Sequence, residues 1–165
     1  MKRIVLLGCA GSGKTTLARR LGERMGAPVI CLDAVWRAGP GDTPRFRELM
    51  TEAHAAESWV SDGNFAQVTF DIRLPRADLI VWLETPRILC AARAILRVFR
   101  PGEAHRPHDL QKVLRFIWNF DRLNRPRIEA ARIAYGPEAP VLHLRTRADV
   151  EALLTSTGQA LVPSQ

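Results

Sequence analysis

The sequence predicts a three-layer α/β fold in which helices cover both faces of a parallel sheet. Two observations predict it: short apolar runs alternate with helical stretches along the chain, and the first apolar run leads into a glycine-rich segment followed by a helix. Buried parallel strands read as continuous apolar runs, and each needs a crossover, usually helical, to reach the next strand. Because these crossovers are right-handed, they place the helices in layers on the two sides of the sheet.

Five strands are predicted, all short and apolar: Arg3–Gly8, Pro28–Leu32, Trp59–Asp62, Leu79–Leu83 and Val141–Leu144. Five helices are predicted between and after them: Lys14–Met25, Pro44–Ala56, Pro86–Phe99, a long one from about Leu110 to Tyr135, and a last one from Ala148 to about Thr155. Proline, glycine and charged residues cluster at 101–108, which predicts a break. We interpret residues 98–112 as a lid inserted in a single domain of residues 1–165, with a loose tail from Gly158.

The segment from Gly8 to Thr15 carries the most specific motif of the chain. It reads Gly-Cys-Ala-Gly-Ser-Gly-Lys-Thr, which fits the phosphate-binding loop (P-loop): a glycine, four free positions, then Gly-Lys-Thr. Its glycines let backbone N–H groups turn toward a polyphosphate, and the dipole of the following helix points at the same charge. We expect Lys14 to reach the β- and γ-phosphates of a nucleoside triphosphate and Thr15 to bind Mg²⁺. The predicted nucleotide-binding residues of this segment are Gly8, Gly11, Ser12, Gly13, Lys14, Thr15 and Thr16.

Acidic residues follow the predicted strands at the edge where ligands of open α/β sheets bind. Asp33 follows the second strand and Asp62 the third. One of them is expected to hold Mg²⁺ through water, and the other to orient a substrate hydroxyl or accept its proton. Asp33 could instead cap a helix, and Asp62 could belong to a simple turn. Glu84, at the end of the fourth strand, is a third candidate.

The net charge of +7 is concentrated in one segment of the chain. Between Arg87 and Arg132, eleven Lys and Arg residues face four Asp and Glu, an excess equal to the charge of the whole protein. Such an excess predicts an anionic ligand: a triphosphate, a phosphorylated substrate or a nucleic-acid backbone. Arg93 and Arg97 share a helix face that can point at the nucleotide. A solvated helical face is the alternative reading.

Length and composition favour one globular domain. A cytoplasmic location is expected from the cysteines and from the lack of an export signal, and a monomer because the sequence suggests no large apolar interface. The chain has 165 residues, of which 47% are hydrophobic and 25% charged. No apolar run approaches the roughly 20 residues of a membrane span, and no signal-type segment predicts export. Three separate cysteines, Cys9, Cys31 and Cys90, are typical of reduced thiols.

Together these residues resemble the adenylate-kinase-like nucleoside and small-molecule kinases, and more closely the group of DNA topology modulation proteins. The resemblance spans about residues 2–135 and continues into the last strand. The segments that carry it are the P-loop, Leu32-Asp33 with Trp36, residues 58–65, residues 77–83 with Pro86-Arg87 and Cys90, Arg93 with Arg97, and Arg125-Pro126-Arg127.

The resemblance implies a five-stranded sheet in the order 2-3-1-4-5, use of ATP and Mg²⁺, and an arginine-rich lid. Asp62 then corresponds to the Walker B acid that holds the metal together with Thr15. The resemblance implies Lys14, Arg93 and Arg97 as catalytic cations. Arg122, Arg125 or Arg127 would then complete the phosphate contacts. Asp33 matches the position where related kinases engage their acceptor.

One departure from the family concerns the acceptor. Nucleoside monophosphate kinases commonly follow the strand-three aspartate with Gly-Phe-Pro-Arg, whereas this chain reads Gly-Asn-Phe-Ala-Gln at 63–67. A standard AMP acceptor is therefore disfavoured. The expected acceptor-site residues are Asp33, Trp36, Arg37, Asn64 and Arg73. The sequence thus predicts ATP-dependent phosphotransfer to a small molecule or nucleotide, with a nucleic-acid-associated NTPase or a nucleotide-binding switch as alternatives.

Overall fold

The computed structural model of the protein describes residues 1–39, 42–99 and 107–159. Residues 100–106, at the centre of the predicted lid, and residues 160–165 of the predicted tail lie outside these ranges. Within them, no helix is long and apolar enough to cross a membrane.

Five parallel strands form one sheet in the order β2-β3-β1-β4-β5, which confirms the predicted fold class and strand order. The strands are β1 (Arg3–Gly8), β2 (Val29–Cys31), β3 (Trp59–Asp62), β4 (Leu79–Leu83) and β5 (Val141–Leu144). Leu6 pairs with Asp62 and Gly8 with Leu83, so the ends of β1, β3 and β4 meet at one edge. That edge places the P-loop beside Asp62 and Glu84.

Eight helices surround the sheet in the described ranges: α1 (Lys14–Met25), α2 (Leu32–Ala38), α3 (Thr43–Ala53), α4 (Ala66–Arg73), α5 (Arg87–Val98), α6 (Pro107–Asn119), α7 (Arg125–Tyr135) and α8 (Arg147–Gln159). A 3₁₀ turn, Leu74–Arg76, follows α4. The predicted helices corresponding to α1, α3, α5 and α8 are confirmed with small shifts at their ends. Helices α2 and α4 were not predicted from the sequence.

The long helix predicted from about Leu110 to Tyr135 is divided by a π-helical segment at Phe120–Asn124. Pro126, in the first turn of α7, provides the physical reason. Proline has no N–H to donate, and its ring displaces the carbonyl four residues earlier, so the regular hydrogen-bond ladder cannot continue through it.

Alternate residues of β1 divide the core into two layers. Ile4 and Leu6 pack with α1 and α8 on one face of the sheet. Val5 and Leu7 pack on the other face in a cluster that includes Trp59, Phe70, Trp82, Cys90 and Phe120. This alternation is the period expected of a strand buried on both sides.

Candidate functional site

The P-loop connects β1 to α1 and lies tightly against β4 and α5. The backbone φ angles of Gly8, Gly11 and Gly13 are 146°, 77° and 101°, values that L-residues rarely adopt. A Cβ atom on Gly8 would lie 2.8 Å from the carbonyl oxygen of Leu83, and one on Gly11 would lie 2.5 Å from that of Cys90. The loop therefore forms a cradle that larger residues would close, as close approach of backbone N–H groups to phosphate requires.

Lys14 bends back over the loop. Its Nζ donates to the carbonyl oxygens of Gly8 at 2.9 Å and of Cys9 at 2.8 Å. Burial lowers the pKa of Lys14, and the nearby carboxylate of Asp62 counteracts part of that shift. Neutral carbonyls compensate a buried ammonium less well than anionic oxygens do, so this position favours a phosphate ligand.

Thr15 and Asp62 form the candidate magnesium site. Thr15 Oγ1 donates to Asp62 Oδ2 at 2.6 Å, and Asp62 is only 3% exposed. Burial raises the pKa of Asp62, while the hydrogen bond from Thr15 and the charge of Lys14 oppose that rise. A hydroxyl and a carboxylate are the oxygen ligands that Mg²⁺ prefers. Beside them, the buried Ser12 Oγ has no hydrogen-bond partner among the described residues, so the loop offers one more polar atom to a ligand.

Asn64 clamps the start of the P-loop. Its Oδ1 accepts from the Gly8 N–H at 3.2 Å, and its Nδ2 donates to the Gly8 carbonyl at 3.0 Å. The same side chain lines a cavity beside the loop. Asn64 therefore reaches the predicted acceptor side, but its amide is already hydrogen-bonded to the loop backbone.

A cavity of about 430 Å³, here called the Asp33 cavity, lies on one side of the P-loop. Polar residues from five helical segments and from the loop after β3 line it: Lys14, Asp33, Asn64, Gln67, Asn124 and Arg127. Apolar side chains, among them Phe65 and Phe116, complete its walls. Asp33 lies in the first turn of α2 and is exposed. The cavity thus combines one carboxylate, two cations and aromatic surface.

A second cavity of about 560 Å³, the Arg93 cavity, lies on the other side of the loop. Gly11, Ser12, Gly13 and Thr16 line it, together with Arg93 and Arg97 of α5 and residues 145–147 after β5. Arg93 Nη1 donates to the carbonyl oxygens of Gly11 and Ser12, both at 3.3 Å. Leu89, Leu96 and Val150 add apolar surface. Cationic and apolar walls together suit a nucleotide, which has a charged and a flat apolar end.

Three residues predicted for the acceptor site do not line the Asp33 cavity. Trp36 packs edge-on against Phe46, with ring centroids 5.1 Å apart. Arg37 is exposed, and its Nε donates to the carbonyl oxygen of Asp33 at 3.0 Å. Arg73 is fully buried below the cavity floor residues Gly63 and Asn64, to whose carbonyl oxygens it donates. The prediction missed α2 and α4, the helices that carry these three side chains, so it could not place them.

Arg125, predicted to contact the triphosphate, lines neither cavity. Its Nη2 donates to Glu84 Oε1, and its guanidinium lies 5.5 Å from the centroid of the Trp82 ring. Glu84 also accepts from Arg145 Nε at 2.7 Å and contacts His143 Nδ1 at 3.1 Å. The hydrogen bonds from Arg145 and Arg125 lower the pKa of Glu84 to about 2. Glu84 is thus the centre of an ion cluster and lies apart from the Thr15–Asp62 pair.

Residues 145–147, which line the Arg93 cavity, were not predicted as site residues from the sequence. They follow β5 at the same edge of the sheet as Asp33 and Asp62, so the strand-end rule applied to the acids would have found them. Arg127 was predicted as one of three alternatives for the triphosphate contact, and the structure places it in the lining of the Asp33 cavity.

No family model and no curated protein matches the chain. Among solved structures, the chain is similar to a shikimate kinase from Acinetobacter baumannii in complex with shikimate, with a TM-score of 0.61 and 20% identity, covering 98% of this chain and 93% of that one. It is also similar to a shikimate kinase from Bacteroides thetaiotaomicron, with a TM-score of 0.59 and 21% identity, covering 97% and 98%. These neighbours confirm the P-loop adenylate-kinase-like fold. They do not support the closer resemblance to DNA topology modulation proteins.

Proposed function

We propose that the protein is a kinase that transfers the γ-phosphoryl group of ATP to a small hydroxylated acceptor. The observation that carries this proposal is the pair of cavities lined by one loop. Ala10 and Lys14 line the Asp33 cavity, whereas Gly11, Ser12 and Gly13 line the Arg93 cavity. A nucleotide switch needs only the second of these, while a transferase needs a donor and an acceptor site that share the same phosphate-binding residues.

On the donor side, we assign the triphosphate to the P-loop amides, Lys14, Arg93 and Arg97. Arginine suits this task because its planar guanidinium makes two-point contacts with phosphate oxygens. Arg93 already contacts the P-loop backbone, so it is held next to the predicted phosphate path. The apolar side chains of Leu89 and Leu96 are available to the base.

Thr15 and Asp62 are the residues that would hold Mg²⁺, which when bound neutralises charge on the phosphates. Lys14 and the two α5 arginines stabilise the charge that develops on the transferred group. Asp62 is buried and hydrogen-bonded to Thr15, so both side chains are held in place before a ligand arrives.

On the acceptor side, we assign Asp33 to the hydroxyl that receives the phosphoryl group. Its carboxylate can orient that hydroxyl and accept its proton as the oxygen attacks. Arg127, in the wall of the same cavity, suits a carboxylate or phosphate of the acceptor, and Phe65 and Phe116 suit its carbon skeleton. The proposed acceptor class is therefore a small hydroxylated molecule that carries an anionic group.

The test is release of ADP from Mg·ATP against a panel of nucleosides, nucleoside monophosphates, sugars and hydroxylated acids. Shikimate belongs in the panel because one similar structure is a shikimate complex. We expect one class of acceptor, a hydroxylated anion, to raise ADP release, and Lys14→Ala to abolish the increase. A flat panel in a protein that binds Mg·ATP tightly would contradict the proposal and favour a nucleotide switch.

A further inference from the structure

Arg73 presents an unusual electrostatic situation. It is the last residue of α4, its side chain is fully buried, and it forms no ion pair within the part of the chain that the structure describes. Burial lowers the pKa of Arg73 to about 9. Burying a guanidinium without a paired carboxylate costs free energy, so the hydrogen bonds of this group must compensate for its lost hydration.

The guanidinium of Arg73 holds the segment that leaves β3. Nη1 donates to Ser61 Oγ at 3.0 Å, and Nη2 donates to the carbonyl oxygen of Gly63 at 2.6 Å and to that of Asn64. The face of the Phe70 ring lies against it, with 4.9 Å between Cζ and the ring centroid. One planar group thus fixes three positions of the chain at once.

A buried histidine supports the same arrangement from the other side. His54 Nε2 lies 2.9 Å from Ser61 Oγ, and Nδ1 lies 2.7 Å from the carbonyl oxygen of Met50. Burial lowers the pKa of His54 to about 4, so the ring is neutral at pH 7. Nδ1–H then donates to Met50, Ser61 donates to Nε2, and the Ser61 oxygen is free to accept from Arg73.

The segment held in this way, residues 62–65, contributes to three parts of the candidate site: the candidate magnesium site, the P-loop backbone and the Asp33 cavity. Asp62 accepts from Thr15, Asn64 clamps both backbone groups of Gly8, and Phe65 lines the Asp33 cavity. Its backbone is strained at Phe65, whose φ is +35°, whereas the φ of +136° at Gly63 is one that glycine adopts readily. A strained non-glycine conformation persists only where surrounding contacts enforce it, and the Arg73 hydrogen bonds to the carbonyl oxygens of Gly63 and Asn64 hold the chain just before Phe65.

We propose that Arg73 is a positioning residue that fixes residues 62–65 and through Asn64 sets the P-loop backbone for Mg·ATP. This inference rests on the proposed function, since it names Mg·ATP as the ligand whose binding depends on Arg73. Lysine cannot replace arginine here, because a single ammonium cannot span the three acceptors that the fork reaches.

The experiment measures Mg·ATP affinity by calorimetric titration in wild type, Arg73→Lys, Asn64→Ala and the double variant. The matched control is Arg76→Lys, since Arg76 is a partly exposed arginine that also donates to backbone carbonyls, at Ala55 and Ala56, and lines neither cavity. We expect Arg73→Lys to raise Kd about tenfold and Arg76→Lys to change it less than about twofold. Because Arg73 acts through Asn64, the double variant should bind within about twofold of Asn64→Ala alone.

A spectroscopic readout separates positioning from stability. The Gly8 amide donates to Asn64 Oδ1, so its NMR resonance reports the clamp. We expect that resonance to move in Arg73→Lys and to stay unchanged in Arg76→Lys, at temperatures where both are folded. An unchanged Gly8 resonance, or additive effects of Arg73→Lys and Asn64→Ala on Kd, would overturn the inference.

Two further outcomes are decisive. If wild type does not bind Mg·ATP, the proposed function fails, whereas normal binding by folded Arg73→Lys overturns only the role of Arg73. If Arg73→Lys does not fold, Ser61→Ala takes its place, because it removes one anchor of the guanidinium and keeps the charge. That variant is expected to raise Kd about threefold, and an unchanged Kd would overturn the inference.

Discussion

Asp33 and Asp62 both stand at the carboxyl end of a strand, Asp62 as the last residue of β3 and Asp33 two residues after β2, but the fold gives them different environments. Asp62 is buried and bonded to Thr15, whereas Asp33 is exposed in the first turn of α2 and lines the Asp33 cavity. The sequence left open which of the two holds the metal. Burial beside the P-loop hydroxyl favours Asp62, and access to the Asp33 cavity favours Asp33 for the acceptor.

Asp33→Asn is therefore expected to remove turnover and to spare nucleotide binding. Loss of a group that orients or deprotonates the acceptor typically costs a factor of about 10²–10⁴. We expect kcat to fall by at least about 100-fold while the Kd for Mg·ATP stays within about twofold, measured with the acceptor found in the panel. Asp71→Asn is the control, because Asp71 is paired with Arg47 and lines neither cavity. Retained turnover in Asp33→Asn would exclude the role assigned to Asp33.

Glu84 predicts a pH dependence of stability. Its pKa is about 2 in the folded protein, against an ordinary value of 4.5, because Arg145 and Arg125 favour the carboxylate. A carboxyl group whose pKa is lower in the folded than in the unfolded protein stabilises the fold fully at pH values above its unfolded-state pKa. That stabilisation is lost as the pH falls from about 4.5 toward about 2. The full shift would correspond to about 3 kcal/mol. The partner guanidinium groups are 43% and 73% exposed, so screening reduces it to about 2 kcal/mol.

Glu84→Gln should therefore lower the free energy of unfolding by about 2 kcal/mol at pH 7, and the difference should shrink as pH falls below about 4.5. Urea unfolding at pH 7 and at pH 3 measures it. Glu57→Gln is the control, since Glu57 is almost fully exposed and lies 3.7 Å from Lys2. A difference between Glu84→Gln and wild type that does not change between the two pH values would contradict the assignment.

At the scale of elements, the strands and helices that could be predicted are those whose residue pattern is visible within a short stretch of the sequence. β1 and β4 contain continuous apolar runs, and α1 begins at the P-loop lysine, so these elements could be predicted from neighbours in the chain. Two helices escaped prediction. α2 has only seven residues, too few to display a helical period, and α4 contains the β-branched Val68, Thr69 and Ile72, which disfavour helix. Packing of Phe70 and Thr69 in the core stabilises α4 nonetheless.

The candidate site could be predicted in part for the same reason. The P-loop residues and the two aspartates follow from motif and strand ends. The positions of the arginines around Pro126 could not be predicted in this way. The π-helical segment at Phe120–Asn124 changes the direction in which the residues after it face. Arg125 consequently pairs with Glu84 while Arg127 lines the Asp33 cavity. Arg73 was predicted to bind substrate, and only the tertiary structure reveals that it is buried.

Because the P-loop packs closely against α5, adding one methyl group to the loop at Gly11 is expected to disrupt nucleotide binding. A Cβ on Gly11 would lie 2.5 Å from the Cys90 carbonyl oxygen, whereas one on Gly26, also at positive φ, meets no atom within 4 Å. Both Gly11→Ala and Gly26→Ala place alanine in a left-handed conformation, at about 1 kcal/mol each. Only Gly11→Ala must also move the loop from α5. We expect it to abolish Mg·ATP binding by calorimetry, while Gly26→Ala binds normally. Normal binding by Gly11→Ala would show that the close contact is dispensable.

At the scale of the whole molecule, the basic excess of residues 87–132 is divided among separate tasks. Arg87, Arg125 and Arg132 lie within 4 Å of the carboxylates of Asp121, Glu84 and Glu129. Arg93 contacts the P-loop, and Arg127 lines the Asp33 cavity on the opposite side of that loop. A charge count along the chain suggests one cationic surface, but the described residues place the arginines named above in ion pairs and in two different cavities.

This division predicts weak, shallowly salt-dependent binding to DNA. Each phosphate neutralised on duplex DNA contributes about 0.9 to the slope of log K against log salt concentration. Arginines paired with carboxylates or held inside cavities cannot track a phosphate backbone, so we expect a slope magnitude below about 3 for a 20-base-pair duplex, measured by fluorescence anisotropy between about 50 and 200 mM salt. The triple variant Arg122→Gln, Arg125→Gln, Arg127→Gln should leave that slope nearly unchanged. A wild-type slope of about 6 or more that falls in the triple variant would instead support a nucleic-acid partner and identify this segment as its binding surface.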